Sequence, residues 1–264
     1  MIIDSHTHLT RIDEESDFSE GLKRLLSKAD NNGVDKIVVI ADSEPNTITA
    51  DTKSVMENVG DNDRFFIIGS PNVMNDDDNG LPYIEELLEA KKIIGMKLFP
   101  GHESFYPTDK RCEPVYDLAL RYDCPVVIHT GINSGDFDCA KYNDPKYIVE
   151  VAKKYPNLRV VIAHYFWPEM DYCFDLTHEI PNIFYDTSAM ADDEVVDVTG
   201  GIEKVANVLE RTAKVKPGSV IFGSDSLMCD QKQAIELIER LDISGAEKRA
   251  ILSGNFEKCF SIQN

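Results

Sequence analysis

Eight short apolar runs recur along the chain, each bounded by turn or helix signals, and they limit the fold more than any other feature. They are Met1–Ser5, Lys36–Ala41, Phe65–Gly69, Ile93–Phe99, Pro125–His129, Arg159–His164, Asn182–Asp186 and Ser219–Ser224. Most are continuous, as in KIVVIA, FFIIG, PVVIH and VVIAH, without apolar–polar alternation. Strands covered on both faces read this way, as in parallel sheets flanked by helices. Helical patterns fill the intervals. Leu22, Leu25 and Leu26 give the apolar face of Phe18–Ala29, and Ile84, Leu87 and Leu88 that of Leu81–Ala90. Pro114 opens a helix through Tyr122. Asp144-Pro145 supplies the N-cap and first-turn proline of a helix that Tyr155-Pro156 ends. Ile202–Ala213 is stopped by Lys216-Pro217-Gly218, and Asp230 caps a helix through Arg240. Ser244 with Glu247 spells a capping box for a last helix that holds Ile251.

This alternation predicts an α/β chain forming one (β/α)8 TIM barrel over residues 1–264, with a closing C-terminal helix. The 264 residues suit it, since such barrels run to about 250. An open doubly wound sheet is weaker, because eight units leave no room for its usual second domain. The run Asp76-Asp77-Asp78 reads as a solvated loop. No apolar run approaches the roughly 20 residues of a membrane span. The N-terminus lacks a basic region and a small-residue cleavage site, so no signal peptide is expected. Six cysteines without a C-x-x-C pair read as free thiols in a reducing, cytoplasmic setting. A net charge of −20 disfavours both nucleic acid and an anionic membrane surface as partners.

In a barrel of this kind, chemistry sits at the C-terminal ends of the strands. Those ends carry His6 and His8, Lys97, His129, His164 and Asp225, which include four of the six histidines. His6 and His8 are two apart, so both imidazoles can face one point. Alternate residues would fill the interior beneath them: Val127 below His129, Ile162 below His164, Ile221 and Gly223 below Asp225. Three histidines and an aspartate around an open position suit a catalytic zinc or similar divalent ion. Such an ion lowers the pKa of water towards neutrality. Asp225 could then take a proton and pass it to a leaving group. Asp4 has the same parity as His6, one layer deeper. It needs a partner, either Lys97 or the second nitrogen of a ligating imidazole. Asp186 ends the seventh run, where it either meets substrate or a ligand, or caps a turn. His178 falls late in a helix and reads as structural.

The residues resemble the amidohydrolase superfamily, and within it the amidohydrolase-related branch that includes aminocarboxymuconate-semialdehyde decarboxylase. The matching segments are D-S-H-T-H (4–8), G-M-K-L-F-P (95–100), P-V-V-I-H-T-G (125–131) and V-V-I-A-H (160–164). F-Y-D-T-S (184–188), I-F-G-S-D (221–225) and G-N-F-E-K-C-F (254–260) complete the set. Phe99 departs from the pattern, since similar sequences often carry histidine there; His102 lies nearby, as a site-lining or a surface-loop residue. The resemblance implies two metal arrangements. In one, His6, His8, His129 and Asp225 hold a single ion and His164 contacts water or polarises substrate. In the other, carboxylated Lys97 bridges two ions, with His6, His8 and Asp225 on one and His129 and His164 on the other. The single-ion form is preferred here, with Lys97 as a cation paired to Asp225, to a deeper acidic group or to an anionic substrate.

The loops after the strands supply Arg11, Tyr106, Lys110, Arg111, Tyr165, Phe166 and Trp167. Lys97, Arg11, His102 and Trp167 are the candidate substrate contacts, and the aromatic rings suit a small organic molecule. The leading expectation is a metal-dependent hydrolase of an amide, ester or lactone type bond. The alternative is a metal-dependent non-oxidative decarboxylase or hydratase of an unsaturated or aromatic acid, which requires a basic residue near the metal to hold the carboxylate. A non-catalytic metal binder and a deoxyribonuclease of related fold rank lower. A homodimer is a family-based expectation.

Overall fold

The computed structural model describes residues 1–13, 16–43, 48–74, 80–132 and 137–262; the acidic run Asp76-Asp77-Asp78 lies outside them. Eight strands run in sequence order around one sheet, each pair of neighbours parallel. They are β1 Ile3–Thr7, β2 Lys36–Ile40, β3 Phe65–Gly69 and β4 Gly95–Leu98, then β5 Val126–Ile128, β6 Val160–Ile162, β7 Ile183–Asp186 and β8 Val220–Ile221. The seam between β8 and β1 is closed by backbone bonds. Ser5 N donates to Phe222 O (3.0 Å), Asp225 N to His6 O (2.8 Å) and His8 N to Ser226 O (2.6 Å). The chain is therefore the expected (β/α)8 barrel.

The alternation of side chains along each strand makes two cores. Val126, Ile128, Val160 and Ile162 face outward to the helices. Val38, Ile68, Val127, Val161 and Ile221 face inward and fill the barrel. The floor is sealed by the C-terminal segment, where Phe256 and Phe260 stack with ring centroids 4.5 Å apart and Phe66 lies 5.8 Å from Phe256. The closing helix is not one piece. Gly245–Arg249 carries both halves of the expected capping box, a wider π turn spans Ala250–Gly254, and Asn255–Cys259 completes it. Helices at Thr52–Val59 and Asp193–Thr199 are not among the expected ones, although Val55, Met56 and Val59 give the first an apolar face. His178 ends Met170–Thr177, the helix expected around it, with its ring stacked on Phe174 as a structural residue.

Two strands break the simple parity. On β1, Ile3 joins the interior while Asp4 turns to the helix layer, where Gln231 Nε2 (2.7 Å) and Ser224 Oγ (2.6 Å) donate to it. The register with β2 then shifts between Asp4 and Thr7, a bulge that returns His6 to the inside. This corrects the expected partnership of Asp4 with Lys97 or an imidazole. It also places His6 within the strand, two residues later than expected. On β6, Ile162 belongs to the outer layer, and Val161 and Ala163 lie inside instead. His164 reaches the site because His164, Tyr165 and Phe166 adopt left-handed backbone, with φ of 61°, 52° and 56°. Such residues cost about 1–3 kcal/mol each and persist only where neighbours impose them. Buried Thr130 does so here: its Oγ1 accepts from Phe166 N (2.9 Å) and donates to Ala163 O (2.5 Å).

Gly223 on the β8 side must be a glycine, since a Cβ there would lie 2.7 Å from the Cβ of His6. Gly223→Ala is therefore expected to destabilise the protein by about 1–3 kcal/mol. It should also displace His6, so a thermal melt and a metal titration would both show the loss.

Candidate metal centre

His6, His8 and Asp225 are brought together by the β1 bulge and the β8–β1 seam. Their ligating atoms lie within 4.8 Å of one another. Asp225 Oδ1 stands 3.3 Å from His8 Nε2 and 3.7 Å from His6 Nε2. The tautomers follow from the other ring nitrogens. His8 Nδ1 lies 3.1 Å from the carbonyl of Ile40, which can only accept, so Nδ1 carries the proton. His6 Nδ1 donates to the carboxylate of Asp186 at 2.7 Å. Both Nε2 lone pairs are thus turned toward Asp225. His6 Nε2 and Asp225 Oδ1 are buried without a hydrogen-bond partner. A buried imidazole lone pair facing a carboxylate oxygen is unfavourable unless a cation sits between them, so these residues fit a divalent metal ion.

Asp186 organises the inner side of this cluster. Its Oδ1 accepts from His164 N (2.9 Å) and Ser188 N (3.1 Å), and also from Ser188 Oγ. Since the single hydroxyl proton of Ser188 is given to Asp186, its oxygen accepts from His164 Nδ1 at 2.9 Å. His164 is therefore also protonated on Nδ1 and presents a bare Nε2. Sequence reading missed Ser188; the only signal was its place two residues after Asp186 at a strand end.

His129 lines the same cavity, its ring 4.8 Å from His164 and 4.4 Å from His102. It is not among the residues whose ligating atoms cluster within 4.8 Å. Lys97 is fully buried beneath the centre, with its ammonium nitrogen 5.0 Å above the Phe99 ring and no hydrogen-bond partner. Among the described residues, Lys97 makes no ion pair with Asp225 or a deeper acid.

Burial sets the protonation states. It lowers the pKa of His6, with Lys97 adding to the effect, and lowers His164 to about 3 and His129 well below the usual value. The imidazoles are thus neutral near pH 7, as ligands must be. For Asp225, burial raises the pKa, but the rings of His8, His164 and His6 outweigh it and hold the carboxyl well below the usual range. Asp186 behaves alike, burial being outweighed by His6 and His164. Asp4, remote from any cation, is pushed up to about 6 by burial. Lys97 is pushed down to about 8, also by burial, against the attraction of Asp186, Asp225 and Asp42.

The cluster opens into a cavity of about 390 Å³. Phe99, His102, Ile132, Trp167 and Val195 form part of its wall, and Asp42, Asp192 and Glu194 its acidic part. Of the expected substrate contacts, His102 and Trp167 line it. Arg11 does not: its guanidinium packs 4.8 Å over Phe18. Tyr106 packs on Tyr142 and Tyr147, and Arg111 pairs with Asp109. The left-handed turn sends Tyr165 outward to stack on Tyr185 at 4.5 Å and Phe166 towards Tyr172, so Trp167 alone of that run reaches the cavity.

Asp186→Asn would keep an acceptor for His6 but lose the charge that fixes its tautomer. Metal affinity, measured by chelator competition, is expected to fall roughly 10–100-fold. Lys97 gives a pH-dependent prediction for the metal-free protein. Its folded pKa lies below its ordinary 10.5, so the buried ammonium is a penalty, complete below about pH 8 and gone above 10.5. Lys97→Met should therefore stabilise the metal-free protein at pH 7, by on the order of 3 kcal/mol at most, seen as a higher melting temperature. The gain should fade as pH rises through that window.

The Amidohydrolase family profile matches residues 3–262. No curated protein sequence matches the chain significantly. Solved structures share the fold. A zinc-bound amidohydrolase from Burkholderia multivorans superposes with a TM-score of 0.74 at 15% identity, over 100% of both chains. A 4-oxalomesaconate hydratase from Rhodopseudomonas palustris gives 0.69 at 18%, over 99% of this chain and 96% of that one. A 5-carboxyvanillate decarboxylase from Sphingomonas paucimobilis gives 0.65 at 16%, over 91% and 83%. With its barrel, its strand-end histidines and a profile match across nearly every residue, the chain belongs to the amidohydrolase family.

Proposed function

We propose that this protein is a metal-dependent hydrolase of a small organic molecule, cleaving an amide, ester or lactone type bond with one divalent ion, by preference zinc. The observation that carries the reading is the orphaned pair His6 Nε2 and Asp225 Oδ1 beside an open cavity. His6, His8 and Asp225 would hold the ion, with His129 the remaining candidate ligand. The ion would supply Lewis acidity and an acidified water. Asp225, ionised at neutral pH, can accept a proton at Oδ2 and return it to a leaving group. His164, with its proton on Nδ1, offers Nε2 as an acceptor. It suits orienting a water, or ligating a second ion, better than donating to an oxyanion. The carbonyl-polarising role expected for it needs a free N–H, whereas its one N–H, at Nδ1, is committed to Ser188. No lysine or arginine lines the cavity among the described residues, which favours hydrolysis over a reaction that must grip a carboxylate. The free cysteines suit a reducing, cytoplasmic setting.

A lyase is the second reading. Lys97 Nζ, buried and unpartnered near the centre, is the group that could meet a carboxylate. The fold is shared with a decarboxylase and a hydratase as well as with an amidohydrolase.

Elemental analysis of protein purified without chelator, paired with His6→Ala and Asp225→Asn, separates these readings. About one equivalent of metal, lost in His6→Ala, is expected. Asp225→Asn should lower kcat roughly 10²–10⁴-fold on any ester or amide that is turned over. Two equivalents that depend on Lys97 and bicarbonate would replace the single-ion site by the carboxylated-lysine form. Carbon dioxide release without hydrolysis would establish the lyase.

A further inference from the structure

The walls of the cavity differ from its floor in charge. Asp42, Asp192 and Glu194 line it together with Asp225, and no lysine or arginine does among the described residues. The remaining residues of the chain include no lysine, arginine or histidine, so no segment outside the described ones can add a fixed positive charge. A divalent ion at His6, His8 and Asp225 would offset only part of this set. Three acidic side chains come from two separate elements. Asp42 follows β2, whereas Asp192 and Glu194 open the helix Asp193–Thr199, where Asp192 caps the first turn by accepting from Glu194 N at 3.0 Å. The same cavity is also lined by apolar and aromatic residues, with Phe99, Ile132 and Trp167 among them. Carboxylates and aromatic rings that line one concave site attract organic cations, through charge and through the negative face of the ring.

We propose that the cavity selects a small organic cation, a substrate with an ammonium or quaternary ammonium group held away from the metal by Asp42, Asp192 and Glu194 against Trp167. This deepens, and rests on, the reading of the site as a hydrolase centre. An anionic acid of similar size is disfavoured there by like-charge repulsion.

Trp167 is the only tryptophan of the chain, so its fluorescence reports directly on the cavity. Metal-loaded protein would be titrated with benzyltrimethylammonium, with neutral benzyl alcohol and with benzenesulfonate. The quaternary cation has no lone pair for a metal, and the sulfonate is a weak ligand, so charge is what the series compares. The cation is expected to bind at least about tenfold more tightly than the alcohol, and the sulfonate more weakly than either. The preference should shrink when salt is raised from about 10 mM to 0.5 M. Glu194 is exposed, so Glu194→Gln and Glu194→Lys should fold, as a thermal melt would verify. The first should reduce the cation preference and the second abolish it. Sulfonate binding as tight as the cation's, or a preference unmoved by Glu194→Lys, would overturn the proposal. Because the titration needs no turnover, its failure is separable from that of the hydrolase reading. Cation binding without hydrolysis would sink only the latter, and hydrolysis with anion preference only the former.

Discussion

The carboxylate of Asp186 is the interaction on which the candidate metal centre depends. It is 2% exposed, and a buried charge of this kind is tolerated only when its oxygens are satisfied. Here His6 Nδ1, the backbone N–H groups of His164 and Ser188, and the Ser188 hydroxyl all donate to it. One side chain at the end of β7 thus fixes residues from β1 and from the turn after β6. It sets the tautomer of His6 directly and that of His164 through Ser188. It also holds the His164 amide in a left-handed turn that would otherwise be unfavourable. His6 and His8 point their Nε2 lone pairs at Asp225 because their Nδ1 protons are already committed to Asp186 and to the carbonyl of Ile40.

Most of the fold was legible in the sequence because parallel strands covered on both faces leave continuous apolar runs. The runs KIVVIA, FFIIG and PVVIH fall on β2, β3 and β5. Capping chemistry was equally readable at Asp230, at Asp144-Pro145 and at Ser244 with Glu247. The site residues at strand ends were legible as a set, since four histidines and Asp225 fall where a barrel presents its chemistry. What failed was parity. Period-two reasoning assumes an unbroken strand, and both β1 and β6 depart from it. A bulge at Asp4–Thr7 and positive φ at His164–Phe166 each re-aim the residues that follow. That is why His6 and His164 reach the centre without sharing the parity of Asp4 and Ile162, which face outward, and why only Trp167 of its aromatic run reached the cavity. Neither device has a glycine or other marker to announce it.

Charge shows the same divide between what is global and what is local. The net charge of −20 describes the whole surface and bears chiefly on solubility. Which acids face the centre is set by topology: Asp42 by the loop after β2, Asp192 and Glu194 by a short helix that sequence reading did not find. Arg11 and Arg111, the cations nearest in sequence to the loops of the site, are held elsewhere by Phe18 and Asp109. The lining therefore keeps its acidic character even though basic residues exist on neighbouring loops.

The barrel and the wall of the site answer separate demands. Strand ends supply the candidate metal-binding set because eight parallel strands converge there. The wall is assembled from loops and short helices that carry little of the packing and can change without disturbing the core. A structure that shares the barrel at under 20% identity shares the fold and says little about the wall of the site. In this chain the floor holds a buried lysine without a partner, and the wall holds carboxylates and aromatic rings. The two lie in different dielectric settings. A charge at the floor is felt strongly but reaches only atoms next to the centre, whereas charges along the half-exposed wall act on the body of a ligand and are screened by salt. On the proposed reading, reaction type is therefore decided by the floor, and the choice of substrate by the wall.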